Sequence, residues 1–426
     1  MIDTGQLGDK IFAYIDALAE LSEHPDHLTR CSLTREHKQA NAMVEQWMQA
    51  AGMATRTDAI GNIIGRYAGQ AEAAAQADES KTSENGNAPA LLLGSHLDTV
   101  RNGGRYDGML GVVVPLVCID AMNQQGIRMP FAIEVVGFCD EEGVRFPSTL
   151  LGSRAIAGTL NQETLSECDE NGISIADALR DFGLEPNNLK SAQRAATEYL
   201  GFVEIHIEQG PVLETENIPV GVVSAISGAA RYKVYVQGLA GHAGTVPMQL
   251  RQDALAAAAE CLLAIESICS DQEELVATVG QIKASPGATN VIPGDVEFSI
   301  DIRSSDDAIR QAAEKTIVDR FAQIARTRNL TIKPEKTYEA KSVSCDDWLT
   351  GQLAQTIEAS GYPLQTMPSG AGHDAMALAD LTRIAMLFVR CKGGISHHPD
   401  ESIKVDDAQA VADVLLQFLQ HFDPDV

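Results

Sequence analysis

Four apolar runs in this sequence end in side chains that can hold a metal ion. LLLGSHLD delivers His96 and Asp98, and FAIEVVGF runs into Asp140-Glu141-Glu142. FVEIHI carries His206, and IAMLFV precedes GGISHHP with its pair His397-His398. Asp107 lies between the first two, in a turn made glycine-rich by Gly103 and Gly104, just ahead of MLGVVVPLVCIDAM, which reads as a helix. Imidazole and carboxylate are good ligands for first-row divalent ions. Open α/β sheets bind ligands at the carboxyl ends of their strands. Taken singly, each such histidine is more often a hydrogen-bonded core or surface residue, and the acidic run is more often a solvated turn. Their recurrence at successive strand ends supports the joint reading, a metal centre.

Two ions suit these residues better than one. A bridging carboxylate with one histidine and one further ligand on each ion uses Asp107, His96, His206, Glu142 and either His397 or His398. Paired ions polarise a carbonyl and activate water, which suits hydrolysis at neutral pH. Glu141 is then a spare carboxylate beside a ligand, where a general base must stand.

The elements that would position these groups are legible from periodicity. Leu7–Leu21 and Arg35–Ala51 have helical apolar spacing, with Gly52 as a C-cap for the second. Ala59–Tyr67 reads as a strand, and the polar, low-complexity stretch Ala71–Pro89 as an exposed loop. Phe131–Phe138, Phe202–Ile207 and Ile384–Val389 are short buried strands, and Ala176–Phe182, Trp348–Ala359 and Asp406–His421 read as helices. The texture changes near Gly221: Arg231–Gln237 and Val296–Ile302 alternate as one-face-buried antiparallel strands do. With helices over Asp253–Ile268 and Asp306–Ala325 they suggest a small α+β domain inserted into the first. The expectation is an α/β fold with a mixed, mostly parallel central sheet flanked by helices. Its catalytic domain spans residues 1–220 and 342–426, and a lid or dimerisation domain spans 221–341.

Composition narrows the partners. The chain has 426 residues, enough for two cores, and 32 basic against 59 acidic residues give a net charge of −27. That balance argues against nucleic acid or an anionic membrane as partner. Eight cysteines without a C-x-x-C pair, several inside apolar runs, point to buried free thiols in a reducing compartment. No apolar run approaches a membrane span, and the first residues do not form a signal peptide; a cytoplasmic location is expected.

The motifs GSHLDTV, YDG, DEEGVRF, HIEQGPVLE, GHAGTVPM, SGAGHDAM and GGISHHP, in this order, resemble the metal-dependent amidohydrolases that cleave N-carbamoyl compounds. These are the allantoate amidohydrolases, N-carbamoyl-L-amino-acid hydrolases and β-ureidopropionases of the aminoacylase/carboxypeptidase G superfamily. The resemblance implies two divalent ions per subunit, zinc or sometimes manganese. It places His96 and His206 on one ion, Glu142 and His397 on the other, Asp107 between them, and Glu141 as base. His397 is preferred over His398 because the motif ends in GISH followed by a variable residue.

The resemblance also implies substrate contacts. Gln209 would bond a ureido group, His242 the developing oxyanion, and Asn290 and Arg303 a substrate carboxylate. Gly372 and His373 would line the site, His373 being as readily structural. Without the motifs, Asn290 would read as a loop cap and Arg303 as a surface ion-pair residue. A twofold homodimer through the inserted domain is expected. Allantoate leads as substrate on the resemblance of MLFVRCKGGISHHPDES to allantoate amidohydrolases. N-carbamoyl-L-amino acids follow, and a superfamily peptidase or aminoacylase, or a non-catalytic binding protein on the same scaffold, remain more distant.

Overall fold

The structure is a computed structural model that describes residues 5–77, 88–270 and 272–424. It divides into two compact units: residues 1–224, 345–367 and 373–426 form the first, and residues 225–344 and 368–372 the second.

The first unit is built on a mixed sheet. Four adjacent strands at its centre, in the order Ala132–Phe138, Ala90–His96, Tyr199–Ile207 and Ile384–Val389, run parallel. All seven residues of Ala90–His96 and of Ala132–Phe138 are buried. Continuous apolar runs of this kind mark parallel strands covered on both faces. Antiparallel strands flank the centre: Ile63–Tyr67 and Ala54–Thr57 on one side, Val220–Ile226 on the other. The helix Met109–Gln124 is buried on nearly every side, among residues of Leu7–Ala19, Arg35–Ala50, Asp347–Ala359 and Val405–His421 in one apolar core. A smaller core gathers Cys139, Phe146, Leu151, Ile175 and Leu179. Parallel direction has one functional consequence: the strands ending in His96, Phe138, Ile207 and Val389 all finish on the same edge of the sheet.

The second unit carries an antiparallel sheet in the order Ile282–Ser285, Asp295–Ser304, Gly228–Gln237, Thr331–Ala340, with Leu275–Thr278 also on Asp295–Ser304. Along Asp295–Ser304 every second residue is buried. Those residues (Val296, Phe298, Ile300, Ile302) pack with the apolar stripes of helices Ala254–Ser270 and Asp307–Arg328. The edge strand Thr331–Ala340 holds Pro334, Lys333 and Lys336, which discourage strand addition there.

Local expectations changed in two places. Asp58 accepts hydrogen bonds from the N–H groups of Ile60, Gly61 and Asn62, so the chain turns there and the strand begins only at Ile63. Within the stretch expected as a loop, Gln70–Ala77 is a helix, and residues 78–87 lie outside the described residues. Among the described residues no helix is long and apolar enough to cross a membrane. All eight cysteines are free thiols, and all but Cys168 are buried.

Candidate active site

At the carboxyl edge of the parallel strands, three histidines converge on one aspartate. Nε2 of His206 is 3.0 Å and Nε2 of His96 3.5 Å from Oδ1 of Asp107, and Nε2 of His397 is 3.4 Å from Oδ2. Glu142 stands 3.8 Å from His397 and Glu141 3.9 Å from His96. Donor atoms group within 4.8 Å as His96–Asp107–His206, as His96–Glu141–Glu142 and as Asp107–Glu142–His397. His398 turns the other way: its Nδ1 accepts from the N–H of Asp400.

The tautomers follow from backbone contacts. Nδ1 of His96 lies 3.0 Å from the carbonyl of Asp98, and Nδ1 of His206 lies 2.9 Å from that of Ile207. A carbonyl only accepts, so each Nδ1 carries hydrogen and, in the neutral ring, each Nε2 presents its lone pair to Asp107. Two lone pairs facing a carboxylate oxygen need positive charge between them. Either the rings are protonated or a cation occupies the space. Oε1 of Glu142 is buried with no hydrogen-bond partner, which again asks for a cation. The donor set therefore fits divalent metal.

The titration tendencies express the same demand. Burial pushes His96 and His206 down, yet Asp107 and neighbouring carboxylates hold both above the ordinary histidine value. The hydrogen bond to Asp107 lifts His397 to about 9. Burial would raise Asp107, but His206, His397 and His96 keep it well below the usual carboxylate range. Burial, then the charge of Asp107, lifts Glu142 to about 7. Glu141 is raised well above its ordinary value, chiefly by burial, with His96 opposing and Glu142 reinforcing.

Several groups position the cluster in ways the sequence did not show. Asp98, a metal-capable residue by type, accepts instead from the N–H groups of Glu141 and Glu142, one on each carboxylate oxygen at 3.2 Å. Asp140 sits at φ 61°, a left-handed turn that costs free energy for a non-glycine residue and recurs at functional sites. His397 and Gln209 share this strain, at φ 55° and 57°. Arg30, wholly buried, donates to the carbonyls of Leu97, Leu18 and Leu21 and so pins the residue between His96 and Asp98. Glu204 accepts from Ser95 and from the N–H of Ala375. Period-two alternation could have flagged it, because it shares a strand face with His206. Gly108 is needed where it stands: a Cβ there would lie 2.4 Å from the His96 ring, and its φ is +71°.

The substrate residues expected from sequence divide. Gln209 donates to Oδ2 of Asp107 (2.9 Å) and to Ser396, and its buried Oε1 has no hydrogen-bond partner. His373 is buried in the first unit with its ring centroid 4.5 Å from that of His206; burial, then His206, keeps it neutral. Gly372, His242, Asn290 and Arg303 belong to the second unit. His242 and Asn290 are exposed, and the Asn290 carbonyl accepts from the N–H of Ala243. Arg303 is not free: its guanidinium forks onto Asp301 (2.8 and 3.2 Å) and bonds the carbonyl of Gly370.

The family model "Peptidase family M20/M25/M40" matches residues 92–421, the span that holds every member of this cluster. The chain belongs to this family. Within M20/M25/M40 it is 38% identical to the allantoate deiminase of Arabidopsis thaliana, over 97% of this chain and 82% of that protein. It is also 38% identical to the N-carbamoyl-L-amino-acid amidohydrolase of a Pseudomonas strain, over 96% and 97%. A hydantoinase/carbamoylase family amidase from Burkholderia multivorans superposes with a TM-score of 0.87 at 32% identity, each chain covered to 97%. The chain is an M20-family enzyme of this amidohydrolase branch.

Proposed function

We propose that this enzyme hydrolyses a C–N bond of a linear ureido compound bearing a carboxylate. Allantoate is the leading substrate and N-carbamoyl-L-amino acids the second reading. The observation that carries the hydrolytic part is the convergence of three histidine Nε2 atoms on the two oxygens of buried Asp107. In this reading two divalent ions, zinc first and manganese second, would be held by His96 and His206 on one side and Glu142 and His397 on the other, with Asp107 shared. When bound, such a pair supplies Lewis acidity toward a carbonyl and makes water a nucleophile near neutral pH.

The protein's own groups do the remainder. Asp98 holds the backbone of Glu141 and Glu142 so that Glu141 faces His96. Glu141 would take the proton of the attacking water and return it to the departing nitrogen. Gln209 commits its amide nitrogen to Asp107 and Ser396, which leaves the buried Oε1 as acceptor for a ureido N–H. His242 is assigned the developing oxyanion, and Asn290 and Arg303 the substrate carboxylate, for which Arg303 must release Asp301.

Both substrates present the same ureido and carboxylate groups, and the two named relatives stand at equal identity. The resemblance of Met386–Ser402 to allantoate amidohydrolases is what favours allantoate in this reading. A homodimer through the second unit belongs to the same proposal, and is supported by its exposed apolar side chains, among them Leu239, Met248, Leu250 and Leu263. A cytoplasmic location, without nucleic-acid or membrane partners, completes it. The deciding experiment is ammonia release from a panel of allantoate, N-carbamoyl-L-amino acids, 3-ureidopropionate and acyl-amino acids, with zinc and with manganese. Hydrolysis of allantoate above the rest is expected. Turnover confined to acyl-amino acids overturns the ureido assignment.

A further inference from the structure

One carboxylate that the proposed chemistry does not use lies directly behind the cluster. Glu401 is 3% exposed, although it follows the polar turn His398–Asp400. Its Oε1 accepts from the backbone N–H groups of Tyr106 (2.9 Å) and Asp107 (3.0 Å). Its Oε2 lies 3.2 Å from the Ser396 hydroxyl, which is 3.1 Å from Oδ2 of Asp107. Ser396 immediately precedes His397, and the N–H of Glu401 donates to the carbonyl of His398. One side chain thus ties the turn carrying Asp107 to the loop carrying His397, across almost 300 residues of chain.

We propose that Glu401 is a positioning residue that locks Asp107 to the His397 loop and so sets how tightly the Glu142–His397 side of the cluster holds a divalent ion. The inference rests on the metal-centre reading above. Three features support it. Two consecutive N–H groups converge on one oxygen, which fixes the orientation of the Asp107 peptide. The space is shaped for this side chain, since a Cβ on Gly104 would lie 2.1 Å from the Glu401 carboxyl carbon. Finally, the His397 side needs the help. His397 is about half exposed and sits on strained backbone, whereas His96 and His206 are buried in strand ends. Groups behind metal ligands commonly contribute 10- to 100-fold in affinity.

The test is zinc titration against a chromophoric chelator, with the number of ions per chain counted, on the full chain and three variants. Glu401→Met keeps the length and removes both acceptors. It should weaken the ion on the Glu142–His397 side by roughly 10- to 100-fold and the other ion less, through the shared Asp107, with Tm measured alongside. Glu401→Gln keeps an acceptor for Tyr106 and Asp107 and should retain both ions nearly as wild type does, a rescue that a generic core residue would not show. Should Glu401→Met fail to fold, Gly104→Ala displaces the carboxylate without deleting it and should loosen the same ion. Unchanged affinity for both ions in Glu401→Met, or in Gly104→Ala where that variant stands in, overturns the inference alone. A wild-type chain that binds no zinc overturns the metal-centre reading together with it.

Discussion

Nε2 of His206 lies 3.0 Å from Oδ1 of Asp107 while its Nδ1 is held by the carbonyl of Ile207. The pair is arranged to need a positive charge between its members. The strand end sets the ring and the turn after Gly104 sets the carboxylate, and neither can retreat from the other.

Glu141 has no metal-side partner of its own apart from the His96 contact, and Asp98 holds it by backbone alone. Glu141→Gln should keep fold and ion content while turnover falls on the order of 100- to 10,000-fold. Steady-state kinetics with elemental analysis check this, and near-normal turnover would remove the base assignment.

The two adjacent histidines differ in direction. His397→Ala should move ion content from two per chain toward one, and His398→Ala, which loses only its contacts with Asp400, should leave it unchanged. Metal analysis after dialysis distinguishes them; the reverse pattern would transfer the ligand role to His398.

Arg303 is gripped by Asp301, so its service to a substrate requires an exchange of carboxylates. Arg303→Ala should raise KM for a carboxylated ureide well above its effect on the corresponding amide, because the bidentate match is lost. Ion content should not change. Equal losses on both compounds would show that the arginine serves the fold of the second unit instead.

His37, a residue outside the proposed ligand set, supplies a pH dependence of its own. It is fully buried, its Nδ1 accepts from the N–H of Leu33, and burial, then the charges of Arg30 and His96, lowers its pKa from 6.5 to about 3. Between those values the unfolded chain takes up a proton that the folded chain refuses, so stability falls as pH drops. The contribution to the folding equilibrium is about tenfold per pH unit below 6.5. His37→Asn keeps an acceptor near Nδ1 and cannot titrate. Its denaturation midpoint should decline less steeply from pH 6.5 to 4.5 than that of wild type, and parallel declines would assign the acid sensitivity to other groups.

The sequence by itself determined what stands at the strand ends. His96 and His206 close apolar strands, Glu141-Glu142 follows Phe138 after two residues, and His397 lies in the loop after Val389. Burial on both faces, which makes such runs continuous, is a local property that composition records. The alternation along Val296–Ile302 is legible for the same reason, since one face of that strand is buried and the other is not. Only the tertiary structure decided that Ala90–His96 lies between Ala132–Phe138 and Tyr199–Ile207, because strand order depends on pairings distant in sequence. It also decided which carboxylates face the cluster and which hold the backbone behind it. Asp98 and Glu142 are alike by type, yet Asp98 turns to two N–H groups while Glu142 faces His397. The partner of Arg303 was also decided there: Asp301, two residues away on the same strand face, holds its guanidinium. Glu401 gave no local signal, because its partners Tyr106 and Asp107 are almost 300 residues earlier in the chain. Local sequence carries periodicity and burial; the direction of a buried polar side chain is set by whichever donors the fold brings within about 3 Å of it.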